Sequence, residues 1–468
     1  MGKGRTTSVA GVDLHLELRG PRVRAGLTDA LRDAVRSGRL APGTRLPASR
    51  VLASDLDIAR STVTECYTAL VEEGWLTARP GSGTQVAARV PSRRNVAEAT
   101  RPTPRAATGL EPGAEDYAEF PRSLWLAAAR RAFATAPHST YGYGDPLGRL
   151  ELRAALTEYL ARARGVRADP AQIVITSGFH HGLGVLARAL GAGTVAVEAY
   201  GLDIYRGVLS DEGLATTPVE VDEDGAQVLE IAGAAAVLLT PAHQFPTGYA
   251  LSAERRAAVI DWARSTGGVI LEDDYDGEFR YDRKPVGALQ GLDPDHVAYF
   301  GTASKSVAPA LRLGWVAVPG WLLSAVAQAK GRVDTVSALD QLIFAEFLAS
   351  GAFDRHVRGR RQRYQRRREE LIETLADVAP SVHVTGMAAG LQAVLALPTG
   401  TEPQALRAAG RHGLAVSGLA QFRHPAAGDH PSWGDALVVN FSNVSDSAWP
   451  GALRALGEVV RALDSRLD

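Results

Sequence analysis

Gly301-Thr302-Ala303-Ser304-Lys305-Ser306-Val307-Ala308-Pro309-Ala310-Leu311-Arg312-Leu313-Gly314 sets a lysine inside a small-residue turn, with an arginine seven positions further on. The apolar run from Val297 to Phe300 delivers the backbone into that turn. A lysine surrounded by Gly, Ala and Ser is easily desolvated, which lowers its pKa and frees the amine to attack a carbonyl as a Schiff-base nucleophile. Arg312, with hydroxyls at Thr302 and Ser304, has the planar fork that grips a phosphate. Aldehyde capture beside a phosphate clamp points to pyridoxal phosphate (PLP). A plain capping turn before an apolar helix fits the same residues.

Upstream, Val269-Ile270-Leu271 reads as a short buried strand that ends in Glu272-Asp273-Asp274-Tyr275-Asp276. Carboxylates at the carboxyl end of a parallel strand stand where open α/β sheets bind ligands. An ionised Asp273 facing a pyridine nitrogen would keep it protonated and make the ring an electron sink. Tyr275, two positions on, points to the same side of an extended chain, within reach of a ring hydroxyl. An acidic strand end also suits a metal site or a helix cap. The lysine and arginine downstream, and the lack of histidine among these acids, favour PLP and no metal.

Asp273-Asp274-Tyr275-Asp276-Gly277-Glu278-Phe279-Arg280-Tyr281, Ala288-Leu289-Gln290 and Gly301-Thr302-Ala303-Ser304-Lys305 together resemble the MocR/GabR family. Its members join a GntR-type winged helix-turn-helix to a domain similar to the aspartate aminotransferases. The resemblance runs from about residue 22 to the C-terminus. It implies a DNA-binding transcriptional regulator with PLP as an internal aldimine on Lys305, answering an amine or amino-acid effector or PLP itself. The alternative is an active PLP-dependent aminotransferase with an accessory DNA-binding domain.

At 468 residues the chain is too long for one core. Hydrophobic and charged contents of 46% and 22% are those of an ordinary globular protein, and the net charge of −1 confines any nucleic-acid site to a local patch. Cys66 is the one cysteine, which excludes an internal disulfide and fits a reducing compartment. No apolar run approaches membrane-spanning length, so the expectation is a cytoplasmic protein without membrane contact.

Three parts follow: a winged helix-turn-helix over 1–86, a linker over 87–116, and an aminotransferase-like PLP domain over 117–468. Leu27, Leu31 and Val35 predict an amphipathic helix over 22–36. Leu46 to Arg50 opens a second helix, a third begins near Ala59, and Trp75 to Val86 reads as a hairpin. Helix, helix-turn-helix and hairpin make a small α+β winged helix, whose third helix enters the major groove with its N-terminus leading. Arg60, Ser61, Thr62 and Thr64 suit base edges and phosphates. By resemblance to GntR-type domains, Arg50 and Arg60 meet DNA, with Arg79 and the wing at Gly81 beside them. Thirteen Lys and Arg against nine acids over residues 1–90 have the sign that DNA requires. A helical protein-interaction module is the bland alternative.

The linker reading rests on Pro91, Pro102, Pro104 and Pro112 with scattered Ala, Thr and Arg. Beyond it, strand-like and helix-like runs alternate, as in an α/β domain. Ile173-Val174-Ile175 feeds a helix near Phe179, whose free N–H groups make Ser177, Gly178 and Phe179 a phosphate cradle. His180 and His181 follow where the family usually has Gln-Gln, and they read as packing or site-shaping residues. Tyr141-Gly142-Tyr143-Gly144-Asp145-Pro146 resembles the aminotransferase motif whose tyrosine reaches the partner subunit's phosphate, which implies a homodimer and a role for Tyr143. Two departures stand out. Leu202 takes the place of the ring-stacking aromatic, leaving Tyr200 or Tyr205 to substitute, and Val438 that of the arginine that binds a substrate carboxylate. A run of arginines from Arg355 to Arg368 on one long helix reads as a solvated face, with a DNA or dimer contact as the alternative.

Overall fold

The structure, a computed structural model, describes residues 7–9, 12–14, 23–79, 83–88, 108–113, 116–231, 233–281, 286–428 and 433–464. The chain falls into two compact units, Met1–Pro104 and Arg105–Asp468.

In the first unit, α1 (Val23–Arg36), α2 (Ser49–Leu56) and α3 (Arg60–Glu72) precede an antiparallel pair, β1 (Leu76–Arg79) and β2 (Gly83–Val86). Leu27, Leu31 and Val35 share one face of α1 and are buried against Leu52, Leu56, Val63, Cys66 and Leu70. Leu27 is fully enclosed, so its truncation to Ala would cost ~2–5 kcal/mol. Asp57, in the left-handed region at φ 54°, ends α2 and turns the chain into α3. The Tyr67 hydroxyl donates to the Pro47 carbonyl at 3.0 Å and ties α3 back to the start of α2. Gly74 ends α3 at φ 79°, a conformation that glycine adopts without steric cost. The wing tip, including Gly81, lies outside the described residues.

The second unit is built on seven strands: β3 (Ile173–Thr176), β4 (Gly193–Glu198), β5 (Leu214–Val219), β6 (Ala236–Leu239), β7 (Val269–Asp273), β8 (Val297–Thr302) and β9 (Gly314–Ala317). Their order is β3-β9-β8-β7-β6-β4-β5, and β9 runs antiparallel to both neighbours. Side chains alternate between two cores: Val195, Val197, Leu238 and Leu271 on one face, Ala196, Val237, Leu239 and Ile270 on the other. Burial on both faces explains why these strands read as continuous apolar runs. Helices α4 (Phe179–Leu190), α5 (Asp203–Asp211) and α6 (Ala303–Ser306) begin just after β3, β4 and β8. A 27-residue helix, α7 (Ala352–Val378), leads to a smaller antiparallel sheet. Its strands β10 (His383–Thr385), β11 (Gln392–Ala396), β12 (Ser417–Gly418) and β13 (Ala436–Asn440) lie in the order β10-β11-β13-β12.

Two expectations need correction. Within 87–116, residues 89–107 and 114–115 lie outside the described residues, but the end of the segment is not linker. Thr108–Gly109 pairs in parallel with Leu414–Ala415, and Leu110 is fully buried. An open strand edge and an apolar core claim these residues despite their linker-like composition. The arginine run on α7 is not wholly solvated either: Arg360, Arg363 and Arg367 are 3%, 7% and 0% exposed. Their spacing puts them on the inner stripe of the helix with Tyr364 and Leu371, while Arg355, Arg358, Arg361 and Arg366 face out.

No helix among the described residues is long and apolar enough to cross a membrane.

Candidate functional site

The carboxyl ends of β4, β7 and β8 converge on a pocket, where open α/β sheets place their ligands. Lys305, Asp273, Tyr275, Glu198, Leu202, Tyr205, Arg206, Phe245, Gln392 and Asn440 line it, with Pro112 and Gly113.

Lys305 rides on α6, a single turn at the end of β8. The Thr302 hydroxyl caps that turn, accepting from the Ser304 N–H at 3.1 Å, and lies 2.9 Å from Ser304 Oγ. Gly301 precedes it because the backbone crosses the Trp315 ring: a Cβ there would stand 2.3 Å from the indole nitrogen.

Asp273 ends β7 and is 3% exposed. The Tyr205 hydroxyl donates to its carboxyl group, while Oδ2 has no hydrogen-bond partner among the described residues. Burial first, then the neighbouring Asp274, Asp276 and Glu198, holds this carboxyl well above the usual carboxylate range. Such a group is poised for a proton or a cation delivered to Oδ2. Glu198 is itself pushed up to about 7 by burial, against hydrogen bonds from the Thr240 N–H at 3.2 Å and Gln244 Nε2 at 3.2 Å.

The Tyr275 oxygen accepts from Gln392 Nε2 at 2.8 Å and lies 3.1 Å from His243 Nδ1. That nitrogen is 2.7 Å from Asp276 Oδ2, so the imidazole is fixed between the two. Burial and Asp276 raise the Tyr275 pKa far above its ordinary value, leaving a phenol that can donate.

The acids between these site residues have structural partners. Glu272 accepts from the N–H groups of Leu289 (2.7 Å) and Gln290 (2.8 Å). Asp274 takes a bidentate fork from buried Arg164 at 2.6 and 3.0 Å and a hydroxyl from Tyr299 at 2.7 Å. Glu278 accepts from Tyr159 at 3.1 Å. Removing Arg164 would strand the Asp274 charge at a cost of ~3–5 kcal/mol. At Gly277 a Cβ would stand 2.3 Å from Asp274 Oδ1, which explains the glycine in the acidic run.

Beside the pocket, rather than on its wall, stand Ser177, Gly178, Phe179, Thr302, Ser304 and Arg312. Gly178 caps the 12-residue α4 at φ 106°. Both terminal nitrogens of Arg312 lie 3.7 Å from where a Gly178 Cβ would stand, so helix N-terminus and guanidinium face one space. Arg312 adopts φ 48°, a left-handed conformation that a non-glycine residue holds only where its surroundings enforce it. The Ser177 N–H donates to His181 Nδ1 at 3.0 Å. Phe179 turns its ring onto Tyr205 (4.5 Å) and Phe300 (5.1 Å), leaving its backbone N–H for an anion. The His180 pKa is depressed by burial, then by Arg312 and Lys305, which links the two clusters.

Other predicted residues fall elsewhere. Tyr143 is 98% exposed and off the pocket wall. Leu202, Tyr200 and Tyr205 are all on the wall, but Tyr205 packs its ring on Phe179 and Tyr200 packs its ring toward Trp433. Val438 is fully enclosed between Val394 and Ser417, in an apolar cluster with Tyr200, Leu419 and Phe422. Arg206 was not legible from the sequence, nor were the Tyr205–Asp273 bond, the His243–Asp276 pair and the contact of Gln392 with Tyr275. The three pairs join positions 33 to 117 apart in the chain.

In the first unit, Arg60 and Ser61 open α3 and are exposed, as are Thr64, Arg50 and Arg79; Thr62 is partly covered. The Thr64 hydroxyl donates to the Arg60 carbonyl at 3.0 Å. No group of three or more metal-binding side chains occurs among the described residues.

PLP fits these residues. The orphaned Asp273 Oδ2 suits a pyridine N–H, Tyr275 a ring oxygen, Lys305 an aldehyde, and the Gly178–Arg312 space a phosphate.

Comparison with known proteins agrees. Residues 112–434 match the aminotransferase class I and II family, and residues 24–86 match the gntR family of bacterial regulatory proteins. The pyridoxine biosynthesis regulator PdxR of Corynebacterium glutamicum is 34% identical, over 79% of this chain and 82% of that protein. The probable rhizopine catabolism regulator MocR of Rhizobium meliloti is 30% identical over 94% of each. Among solved structures, the kynurenine aminotransferase of Pyrococcus horikoshii superposes with a TM-score of 0.68, at 22% identity over 77% of this chain and 92% of that one.

Proposed function

The chain belongs to the MocR/GabR family of transcriptional regulators, and on that premise we propose that Lys305 holds its cofactor covalently and that an amine or amino-acid effector, or PLP itself, is sensed there. It is a DNA-binding regulator with a GntR-type winged helix and a PLP-dependent aminotransferase-like domain. When bound, PLP supplies an aldehyde that condenses with amines and a ring that withdraws electrons.

In this reading Asp273 Oδ2 would accept a hydrogen bond from the ring N–H, keeping that nitrogen protonated, while Tyr205 steadies the carboxylate. Tyr275 donates to the ring oxygen, with Gln392 and His243 fixing the phenol. Arg312 and the backbone N–H groups at Gly178 and Phe179 would neutralise the phosphate, assisted by the hydroxyls of Thr302, Ser304 and Ser177, whose own N–H is held by His181. The observation that carries the proposal is one pocket wall bearing both the Lys305 amine and a buried carboxylate with an unpaired oxygen.

Arg206 supports an effector with an anionic end. It is the one arginine on the described wall and makes no hydrogen bond or ion pair among the described residues. Burial depresses its pKa, partly offset by Asp203. An amino acid bound there would be held from α5, not from β13, where Val438 stands. Tyr143, nearly bare on one chain, is read as completing the phosphate cup of a partner subunit, which makes the regulator a homodimer. Arg50, Arg60, Ser61, Thr62, Thr64, Arg79 and Gly81 are read as the DNA contacts. The cytoplasm, where operator DNA and free PLP meet, is its proposed place of action.

The test is footprinting on DNA flanking its own gene, with and without PLP and a panel of small amines, for the wild type and Lys305→Ala. A ligand-dependent footprint in the wild type, lost in the variant, is expected. A borohydride-reducible PLP adduct that persists in Lys305→Ala would sink the assignment.

A further inference from the structure

A helix of one turn cannot satisfy its own last carbonyls. For α6, which carries Lys305, α7 supplies the donors. His356 Nε2 lies 3.0 Å from the Ser306 carbonyl, and Arg360 Nη1 donates to Ser306 O at 3.3 Å and Val307 O at 3.4 Å. A carbonyl only accepts, so Nε2 carries the proton. Burial, then Arg360, pushes the His356 pKa down to about 4, so the ring acts at neutral pH as a neutral donor. Arg360 is itself oriented by Tyr364, whose hydroxyl accepts from Arg360 Nε at 2.8 Å.

The same helix holds two segments that lead into the pocket wall. Arg363 pairs with Asp116 at 3.0 Å, three residues beyond Gly113 on the wall. Arg367 donates to the Phe441 carbonyl at 2.8 Å, next to Asn440 on the wall, and to Asp446 at 2.8 Å. Side chains so deeply buried are far from the solvated run that their sequence resembles.

We infer that α7 positions the reactive lysine from outside the pocket: His356 and Arg360 are positioning residues for Lys305, and Arg363 and Arg367 tie the facing wall to the same helix. This rests on the proposed role of Lys305. The amine is aimed by backbone carbonyls held in place, and its approach to an aldehyde depends on that aim. A misplacement of 1 Å can cost roughly 10²-fold in rate.

The experiment uses the full-length protein with PLP as the probe. The rate of PLP capture is followed by visible absorbance and by borohydride trapping with mass analysis of the Lys305 peptide. His356→Gln keeps an N–H for Ser306 and His356→Leu does not. We expect the Gln variant to capture PLP within about twofold of wild type, and the Leu variant roughly tenfold or more slowly, with a displaced absorbance band. Circular dichroism and melting temperature monitor the fold, and a loss of packing alone would not be rescued by Gln. Arg360→Lys, which keeps the charge but loses the fork, should behave as the Leu variant does. Wild-type capture and spectrum in His356→Leu, with capture abolished by Lys305→Ala, would overturn the inference while leaving the Lys305 reading intact. Unchanged capture in Lys305→Ala would overturn both.

Discussion

Asp273 carries a cost that PLP would relieve. Its pKa in the folded protein is raised above the unfolded value, so the folded state binds the proton more tightly. Stability is then greatest below the unfolded carboxylate pKa and declines as pH rises from about 4 through the raised folded value. Asparagine has no such loss. We predict that Asp273→Asn raises the melting temperature of the PLP-free protein at pH 8 and changes it little at pH 4, while weakening PLP binding. Calorimetric scans across that pH range check the first half, and PLP titration by absorbance the second. An equal effect at both pH values would remove the buried charge as the cause. Tyr275 offers a milder probe, since Tyr275→Phe keeps the ring and removes one hydrogen bond to the cofactor, along with the hydroxyl's contacts to Gln392 and His243. PLP affinity should fall by roughly one order of magnitude, the size of a net hydrogen bond of ~1–1.5 kcal/mol.

At the scale of elements, what could be read from the sequence was whatever is local. Val269-Ile270-Leu271 announced β7, and Leu27, Leu31 and Val35 announced α1, because burial imposes a period on neighbouring positions. In the acidic run the alternation that puts Asp273 and Tyr275 on one side of the chain was legible, whereas the partners of the acids between them were not: Glu272, Asp274 and Asp276 hold backbone, Arg164 and His243. The arginines of α7 misled because their partners, Asp116, Asp446 and two carbonyls beside Lys305, come from distant segments. The same logic applies to α3, whose buried face (Val63, Cys66, Tyr67 and Leu70) leaves Arg60, Ser61 and Thr64 outward. Arg60→Ala should cost ~1–3 kcal/mol in operator affinity, the worth of one bidentate base contact, and leave PLP binding unchanged. Titration of operator and scrambled DNA at fixed salt measures it, and an equal loss on both would make Arg60 a phosphate contact instead.

For the whole molecule the decisive question is turnover, because a family that combines both parts could regulate, catalyse or do both. In transamination of an α-amino acid the carboxylate must be held so that the α-proton lies across the cofactor plane, and an arginine fork supplies that orientation. Val438 cannot, being sealed among Tyr200, Leu419 and Phe422 on a strand paired at both sides. Arg206 lies on α5 instead and would hold a carboxylate from another direction. Leu202 gives less ring contact than an aromatic side chain would. Yet Lys305, Asp273 and Tyr275 share the pocket, so amine exchange at Lys305, and one half-reaction with a suitable donor, are expected to persist. Sustained transamination should be negligible. A steady-state assay with PLP, a panel of amino donors and 2-oxoglutarate, run beside single-turnover spectra, separates these outcomes. A fast spectral change without product accumulation is the expected result. Turnover near the ~10 s⁻¹ typical of enzymes would make this chain a working aminotransferase, and its winged helix the accessory.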